Sequence, residues 1–378
     1  MVARVEGRNT RRIQAPAAVL AFTVLVLAVV GVGCPCLRGP VNASPALRWW
    51  LFSNFGASRM CSEMQKRSVG LPVGILPVPG VAPACPDCKA ARYYPFPPFS
   101  GVSPCSVTVD DQNQVVTVHI AGSGYAYHPV SKRVGYFCKA SVEYRPDFRI
   151  YEDDVYVWGV ANRIVQGPSC EIVYLENPVA QAANMSPLGW LASGFANQYV
   201  SGELLRGYTV VQNWDTESIS FAPGILMPPQ KPSTPYDVSE DTRYTFANEK
   251  IEVASGQRDY LGPFEIVDTG QKLELRYFLQ AAGPLDAMVV TKATGELWLD
   301  QYIRGQPLGP PPGPVVGGAP LYPGREQVGS YQLPPGQYYV VIDNTAQAGS
   351  VAPPGPSLLD PLGTATARLS YVAQLGER

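Results

Sequence analysis

From residue 105 onward, apolar and polar positions alternate. Val107 and Val109 alternate with polar neighbours, Asp110-Asp111-Gln112-Asn113-Gln114 makes a turn, and Val116, Val118 and Ile120 alternate again. This predicts a β-hairpin with one apolar face. Further strand-like runs are 140–144, 148–151, 155–165, 171–175 and 208–212. Between the last two, Ser186-Pro187 reads as a helix cap. Leu188, Leu191, Phe195 and Tyr199 then follow at spacings of three and four, predicting a helix to about residue 206. Residues 69–222 therefore read as one α+β domain built mainly on an antiparallel sheet.

Upstream, Ser44-Pro45 also carries a cap signature, a capping hydroxyl followed by proline in the first turn. Leu47, Leu51 and Phe55 recur every four residues, Met60 and Met64 continue in a shifted row, and Trp50 widens the stripe. The pattern predicts an amphipathic helix over about 45–67 inside a tether spanning 34–68. Such a helix either docks on the following domain or lies on a membrane surface, and docking is the favoured reading.

Downstream, Pro223, Pro228, Pro229, Pro232 and Pro235 mark 223–240 as a stiff linker. Residues 241–378 hold short strand-like runs at 244–247, 250–254, 264–267, 272–279, 287–292, 296–301, 329–333, 338–344 and 365–372. Turns separate them and almost no helix is expected, so this part reads as a β-sandwich. Between Gly305 and Gly324 stand seven Pro and six Gly in 20 residues, a long insertion expected to lack regular structure. The fold class is thus mainly β: an antiparallel-sheet domain with an α+β N-terminal part, then a sandwich.

Three stretches of this last third carry a resemblance. They are Tyr260-Leu261-Gly262-Pro263-Phe264, Lys272-Leu273-Glu274-Leu275-Arg276-Tyr277, and the run from Leu333-Pro334-Pro335-Gly336 through Tyr338-Tyr339-Val340-Val341-Ile342 to Asp343-Asn344. In this order they resemble GOLD-like and bacterial pre-peptidase C-terminal sandwich domains. That resemblance implies an accessory domain that binds protein, polysaccharide or lipid, or assists folding, without catalytic residues. The whole chain also resembles bacterial envelope lipoproteins.

The N-terminus bears on location. Arg4, Arg8, Arg11 and Arg12 face a single Glu6, and Ala15 to Gly33 then runs without a charge. A basic stretch before an apolar one is an export signal, long enough here to serve also as an anchor. Val32-Gly33-Cys34 resembles the lipobox of bacterial lipoproteins, in which the cysteine takes a diacylglycerol and becomes the new N-terminus. Gly31 departs from the larger aliphatic residue of that pattern. Residues 1–33 are therefore read as a signal peptide or anchor and Cys34 as the lipidation site. An uncleaved anchor and a fully secreted chain remain as alternatives. All three place the rest of the chain outside the cytoplasm.

Export changes the meaning of the eight cysteines, all within the first 170 residues. Disulfides become the default, with Cys61, Cys85, Cys88, Cys105, Cys138 and Cys170 as candidates. Cys85-Pro86-Asp87-Cys88 also has the spacing of a redox motif or half of a zinc site. Its proline-rich flanks argue against the first, and the lack of a second close ligand pair argues against the second.

Composition then narrows the function. Net charge is −2, and removal of residues 1–33 leaves 25 Lys+Arg against 30 Asp+Glu. No basic excess exists to neutralise phosphates, so nucleic acid is not an expected partner. Only His119 and His128 are present, and no G-x-S-x-G elbow occurs, although Gly122-Ser123-Gly124 lies near His119. Glu152-Asp153-Asp154 and Asp110-Asp111 are the carboxylate clusters, with turn formation as their ordinary role. Tyr125, Tyr127, Tyr136, Phe137, Tyr144, Tyr151, Tyr156 and Trp158 form either a core or a stacking surface for sugars. No metal and no cofactor is expected. The favoured function is a membrane-anchored exported lipoprotein that binds or scaffolds in the cell envelope, reaching the membrane through its lipid or signal anchor. An envelope protein or polysaccharide is the expected partner. The alternative is an exported carboxylate-dependent glycan-processing enzyme.

Overall fold

The computed structural model describes residues 38–66, 70–74, 85, 87–95, 105–128, 131–177, 205–213, 219–231, 244–353 and 366–377. Cys34, the export signal and most of the helix expected at 186–206 lie outside them. Among the described residues the fold is mainly β, with few helices.

The chain enters through α1 (Arg38–Ala43) and α2 (Pro45–Leu51), then a wide π turn (Phe52–Gly56) that runs on into α3 (Ala57–Lys66). Ser44 caps α2 as expected, its Oγ accepting from Leu47 N at 3.3 Å. Strands β1 (Leu71–Gly74), β2 (Lys89–Pro95), β3 (Cys105–Asp110), β4 (Val115–His128), β5 (Lys132–Tyr151), β6 (Asp154–Leu175), β7 (Tyr208–Asn213) and β8 (Ile219–Pro223) follow. The expected hairpin is β3 with β4, in register Val107 to Val118 and Val109 to Val116. Runs that read as separate strands at 140–144 and 148–151 form the single β5. Those at 155–165 and 171–175 form the single β6. Shifts of register near Ser141 and Glu143 carry the β5–β6 ladder through its long course.

The amphipathic helix is docked. Phe52, Ala57 and Met60 are buried with Val116, Val118 and Ile120 of β4 and Val142 and Tyr144 of β5. Cys61–Cys105 fastens α3 to β3, and Cys138–Cys170 joins directly paired residues of β5 and β6. All six candidate cysteines are in disulfides. Cys61 and Cys105 lie 44 residues apart, so their bond removes much loop freedom from the unfolded chain. Replacing both with alanine is expected to cost about 2–4 kcal/mol in urea unfolding. An unchanged midpoint would show that the helix is held by packing alone.

The second half holds β9 (Tyr244–Val253), β10 (Gln257–Ile266), β11 (Gln271–Gln280), β12 (Leu285–Thr291), α4 (Lys292–Ile303), β13 (Val315–Leu321), β14 (Glu326–Tyr331), β15 (Gly336–Asn344) and β16 (Ala367–Glu377). One sheet runs β14-β11-β16-β9 and the other β10-β15-β12-β13. Leu273, Leu275 and Leu279 of β11 meet Val340 and Ile342 of β15 in the core between them. The period-two burial of β16, with every second residue inside, is the signature of such a face. These two sheets form the expected sandwich.

Three expectations are corrected here. Residues 296–301 are not a strand but the middle of α4. Thr291 caps that helix, and Trp298, Leu299, Tyr302 and Ile303 fall on one buried face at helical spacing. The insertion at 305–324 is ordered. Its second half is β13, paired with β12 from Leu285–Leu321 to Val290–Val315. The linker expected at 223–240 is held in its first part. Leu226 O accepts from Trp158 Nε1 at 2.6 Å, Leu226 N donates to Thr209 Oγ1, and Lys231 pairs with Asp154 at 2.7 Å. Residues 232–243 lie outside the description.

The halves share a sheet. The larger sheet continues β9-β2-β4-β5-β6-β7-β8, with β1 beside β2 and β3 beside β4. Its join is one parallel pair, Lys89 with Ile251. A single pair is weak cement; Gly70 N adds one backbone hydrogen bond to Gly262 O at 2.8 Å, and side chains supply the rest of the seam.

Candidate functional site

The outer face of the smaller sandwich sheet forms that seam. β10 is buried along nearly its whole length, because one face meets the sandwich core and the other meets α4, β2 and β4. Tyr94 and Tyr125 from the first half pack there with Tyr260, Trp298, Tyr302 and Tyr339. Tyr125 meets Tyr302 edge-on with ring centres 5.0 Å apart. The Gly135 position explains how close α4 comes: a Cβ there would lie 1.9 Å from Ile303 O.

At the centre is Arg92, 2% exposed. Its Nε and Nη2 donate to the two carboxylate oxygens of Asp259 at 2.7 and 3.0 Å. Nη2 also donates to Glu249 Oε2 at 3.0 Å, and Nη1 to Gly70 O at 3.3 Å. Tyr125 Oη donates a very short hydrogen bond to Asp259 and accepts one from Tyr260 N at 2.8 Å. Tyr371 Oη donates to Glu249, and Tyr94 Oη donates to Tyr260 O, both at 2.5 Å. Burial opposes the charge on Arg92, but Asp259, Tyr371 and Glu249 outweigh it and hold the guanidinium well above its ordinary pKa. Burial also pushes the Tyr125 phenol well up, and the neighbouring Asp259 charge adds to this.

Beside this network a second buried pair closes the end of β15. Arg258 Nε donates to Asp343 at 2.5 Å, and its guanidinium lies 4.5 Å from the Trp298 ring centre. Burial raises the Asp343 carboxyl pKa despite that partner. A chain of contacts leads on: Tyr302 Oη to Gln257, Gln257 Nε2 to Glu176, and Arg133 N to Glu176. The Arg133 guanidinium lies 4.4 Å from the ring centre of Tyr302 and 4.9 Å from that of Tyr174.

Above the network lies a small recess of about 20 Å³, room for about one water. Lys89 from β2, Tyr125 and Tyr127 from β4, Glu252 from β9, Asp259 from β10 and Tyr302 from α4 line it. Asp259 is engaged by Arg92 and Tyr125. Its lining combines Tyr125, Tyr127 and Tyr302 with two cations, Lys89 and Arg258, and two anions, Glu252 and Asp259.

The residues singled out in the sequence mostly lie elsewhere. Glu152 and Asp153 are exposed at the β5–β6 turn, where Glu152 adopts φ +52°. Asp154 is buried and bound to Lys231 and Asn213. Asp110 accepts from Gln112 N and Asn113 N in its own turn, and Asp111 accepts from Trp49 Nε1. His119 is exposed, its Nδ1 2.8 Å from Ser141 Oγ and its Nε2 3.2 Å from Thr108 Oγ1. The third member of that row is a hydroxyl, where a triad needs a carboxylate. Tyr136, Tyr144, Tyr156 and Trp158 are core residues. Tyr125 and Tyr127 are the sequence-flagged aromatics that line the recess. Glu252 lies within 4.8 Å of the sulfurs of Cys85 and Cys88, a grouping of three ligand types. The sulfurs are bonded to each other, so this is no thiolate site.

Nothing in the local sequence singles out Arg258, Asp259, Glu252 or Tyr302. They become neighbours of β2 and β4 only through the seam, with separations such as the 167 residues between Arg92 and Asp259.

No family model matches the chain, and no curated protein matches it. Among solved structures, a secreted serine protease, VesC from Vibrio cholerae, is similar at 8% identity with a TM-score of 0.18. The alignment covers 85% of this chain and 53% of that one, so the chain spans about half the length of the protease. The Bombyx mori GH32 beta-fructofuranosidase BmSUC1 is similar at 9% identity with a TM-score of 0.13, over 86% of this chain and 98% of that one. Likeness at this level carries no argument about fold or activity.

Proposed function

We propose that this is an exported lipoprotein, held on an envelope membrane through lipid at Cys34, whose body binds or scaffolds without catalysis. The observation that carries the reading is the order from Arg4 to Cys34: basic residues, an uncharged apolar run, small residues, cysteine. Three disulfides among the described residues are compatible with export. No helix among the described residues is long and apolar enough to cross a membrane. An envelope protein or polysaccharide is the partner this reading expects.

The carboxylate-enzyme alternative named Glu152, Asp153 and Asp154. Two of these face solvent at a turn and the third is neutralised by Lys231, so that cluster gives the alternative no support.

Intact mass of the protein extracted from its own membranes tests the proposal. The expected chain begins at Cys34 and carries added acyl mass, and Cys34→Ala moves the protein out of the membrane fraction. A full-length chain in the membrane would make residues 1–33 an anchor. A lipid-free chain in the soluble fraction would make the protein secreted. Either result overturns lipidation at Cys34.

A further inference from the structure

The N-terminal helices and the sandwich are fastened to opposite ends of one strand. α1 sits on the last residues of β5. Asn42 Nδ2 donates to Ile150 O and Asn42 Oδ1 accepts from Ile150 N, both at 2.9 Å, the way a neighbouring strand would. The Arg38 guanidinium lies 5.5 Å from the centre of the Tyr151 ring, and Arg48 Nε of α2 donates to Asp147 at 2.6 Å. The sandwich half meets the other end. Ile303 of α4 crowds Gly135, Arg133 lies against Tyr302, and Glu176, just past β6, accepts from Gln257. Gly135 and Ile150 stand 15 positions apart in β5. That is about 50 Å at roughly 3.3 Å per residue, somewhat less where the register shifts bend the strand. β4 pairs with β5 over Lys132–Tyr144, β6 pairs with it over Val134–Tyr151, and Cys138–Cys170 crosses the ladder. This length is therefore a strut and not a linker.

The anchor joins one end of that strut. Cys34 stands four residues before Arg38. Whatever their conformation, four residues reach no farther than about 14 Å. Lipid at Cys34 thus brings α1 and the β5–β6 turn next to the bilayer. Glu152 and Asp153 are exposed at that turn. Two carboxylates do not attract an anionic membrane, so the short tether is what holds the tip there. From Cys34 onward the chain has 25 Lys+Arg against 30 Asp+Glu, so no net attraction lays the rest of the body down on such a membrane.

We propose that α1 and the β5–β6 turn form the face turned to the lipid surface, and that the β4–β5–β6 ladder holds the sandwich away from it. The proposal rests on lipidation at Cys34 and adds the orientation of the body to that reading. It also narrows the partner. Of the protein, polysaccharide and lipid that a sandwich of this kind is expected to bind, the lipid of the anchoring membrane is out of its reach. The sandwich meets an envelope protein or polysaccharide beyond the membrane surface.

The test uses the protein extracted from its own membranes and placed in vesicles of phosphatidylethanolamine and phosphatidylglycerol, a fraction of the lipid carrying a headgroup diazirine. After illumination and trypsin digestion, mass spectrometry is expected to find lipid adducts on the peptides Gly39–Arg48 and Ile150–Arg163, and none on peptides within 244–353. An acylated chain with no adducts on those two peptides, or with as many on the sandwich, overturns the proposal and leaves lipidation standing. A chain without acyl mass at Cys34 overturns both, and the intact mass of the same sample tells the two failures apart. In a second arm, about 20 Gly and Ser residues inserted after Leu37 lengthen the tether by roughly 25 Å. Adducts on Gly39–Arg48 and Ile150–Arg163 are expected to fall severalfold. Undiminished adducts would mean that the tip binds lipid unaided, and would overturn the short tether as the cause of the orientation.

Discussion

Arg92→Met is expected to cost about 3–5 kcal/mol of stability, the range for removing one partner of a buried charge network. The guanidinium is 2% exposed, and it offsets Asp259 and Glu249 together. Methionine fills much of the volume and leaves two carboxylates facing each other with no cation between them. A domain is stable by only about 5–15 kcal/mol in total, so the loss is a large fraction of the whole. The consequence is also local. Arg92 belongs to β2, while Asp259, Glu249 and Tyr371 belong to the sandwich, and the sheet itself joins the halves by one backbone pair. Urea unfolding of the variant is therefore expected to separate into two steps, the sandwich outlasting the first half. Asp259→Asn is expected to cost less, because Arg92 keeps Glu249. A single transition shifted by less than about 1 kcal/mol would show that the aromatic packing at the seam suffices without the ions.

How far the sequence reveals this architecture follows from the range of the interactions. Alternation along 105–120 and 367–377 is set by neighbours two residues apart, so these strands are legible. Capping at Ser44 is local as well. The run Glu296-Leu297-Trp298-Leu299 reads as a strand because two apolar faces look alike over six residues. Its true period appears only when Tyr302 and Ile303 are added to Trp298 and Leu299. Gly295 also misleads, since glycine weakens a helix. It stands there because a Cβ would lie 2.5 Å from the Tyr339 ring. The glycine- and proline-rich stretch at 305–324 reads as unstructured by composition. Val315 to Leu321 nonetheless find a ladder on β12, an edge position where Pro320 is tolerated.

The candidate site was the least legible part, for the same reason carried further. Its acids and bases are ordinary surface-type residues in the sequence, made special by partners 81 to 167 positions away. Tyr125 and Tyr127 drew notice as aromatics, but alternation could not tell a recess wall from a core. The buried arginine gives no local signal at all. Lys89-Ala90-Ala91-Arg92-Tyr93-Tyr94 lies in the Pro- and Gly-rich stretch 69–104, which reads as extended and irregular. Only the docking of the sandwich turns that charge inward, where carboxylates from β9 and β10 meet it.

Tyrosine burial at the seam and in the other cores leaves the molecule open to alkali, and the effect is expected to be the larger of the two. Ten tyrosines, Tyr93, Tyr94, Tyr125, Tyr136, Tyr208, Tyr260, Tyr277, Tyr302, Tyr339 and Tyr371, have phenol pKa values raised, in every case chiefly by burial. Below about pH 10 these phenols are protonated in both states and give stability no slope. Above it, the unfolded chain releases their protons and the folded one does not. The folded state then binds more protons, so stability falls as pH rises. Each phenol contributes about 1.4 kcal/mol per pH unit, and ten acting together exhaust a stability of about 5–15 kcal/mol within roughly one unit. Phenolate absorbance and far-UV circular dichroism are therefore expected to change in one shared, steep step between about pH 10 and 11. A gradual phenolate titration with the circular dichroism intact beyond pH 11 would mean that water reaches these hydroxyls in the folded protein, and the cores that hold them would have to be far looser than their packing implies.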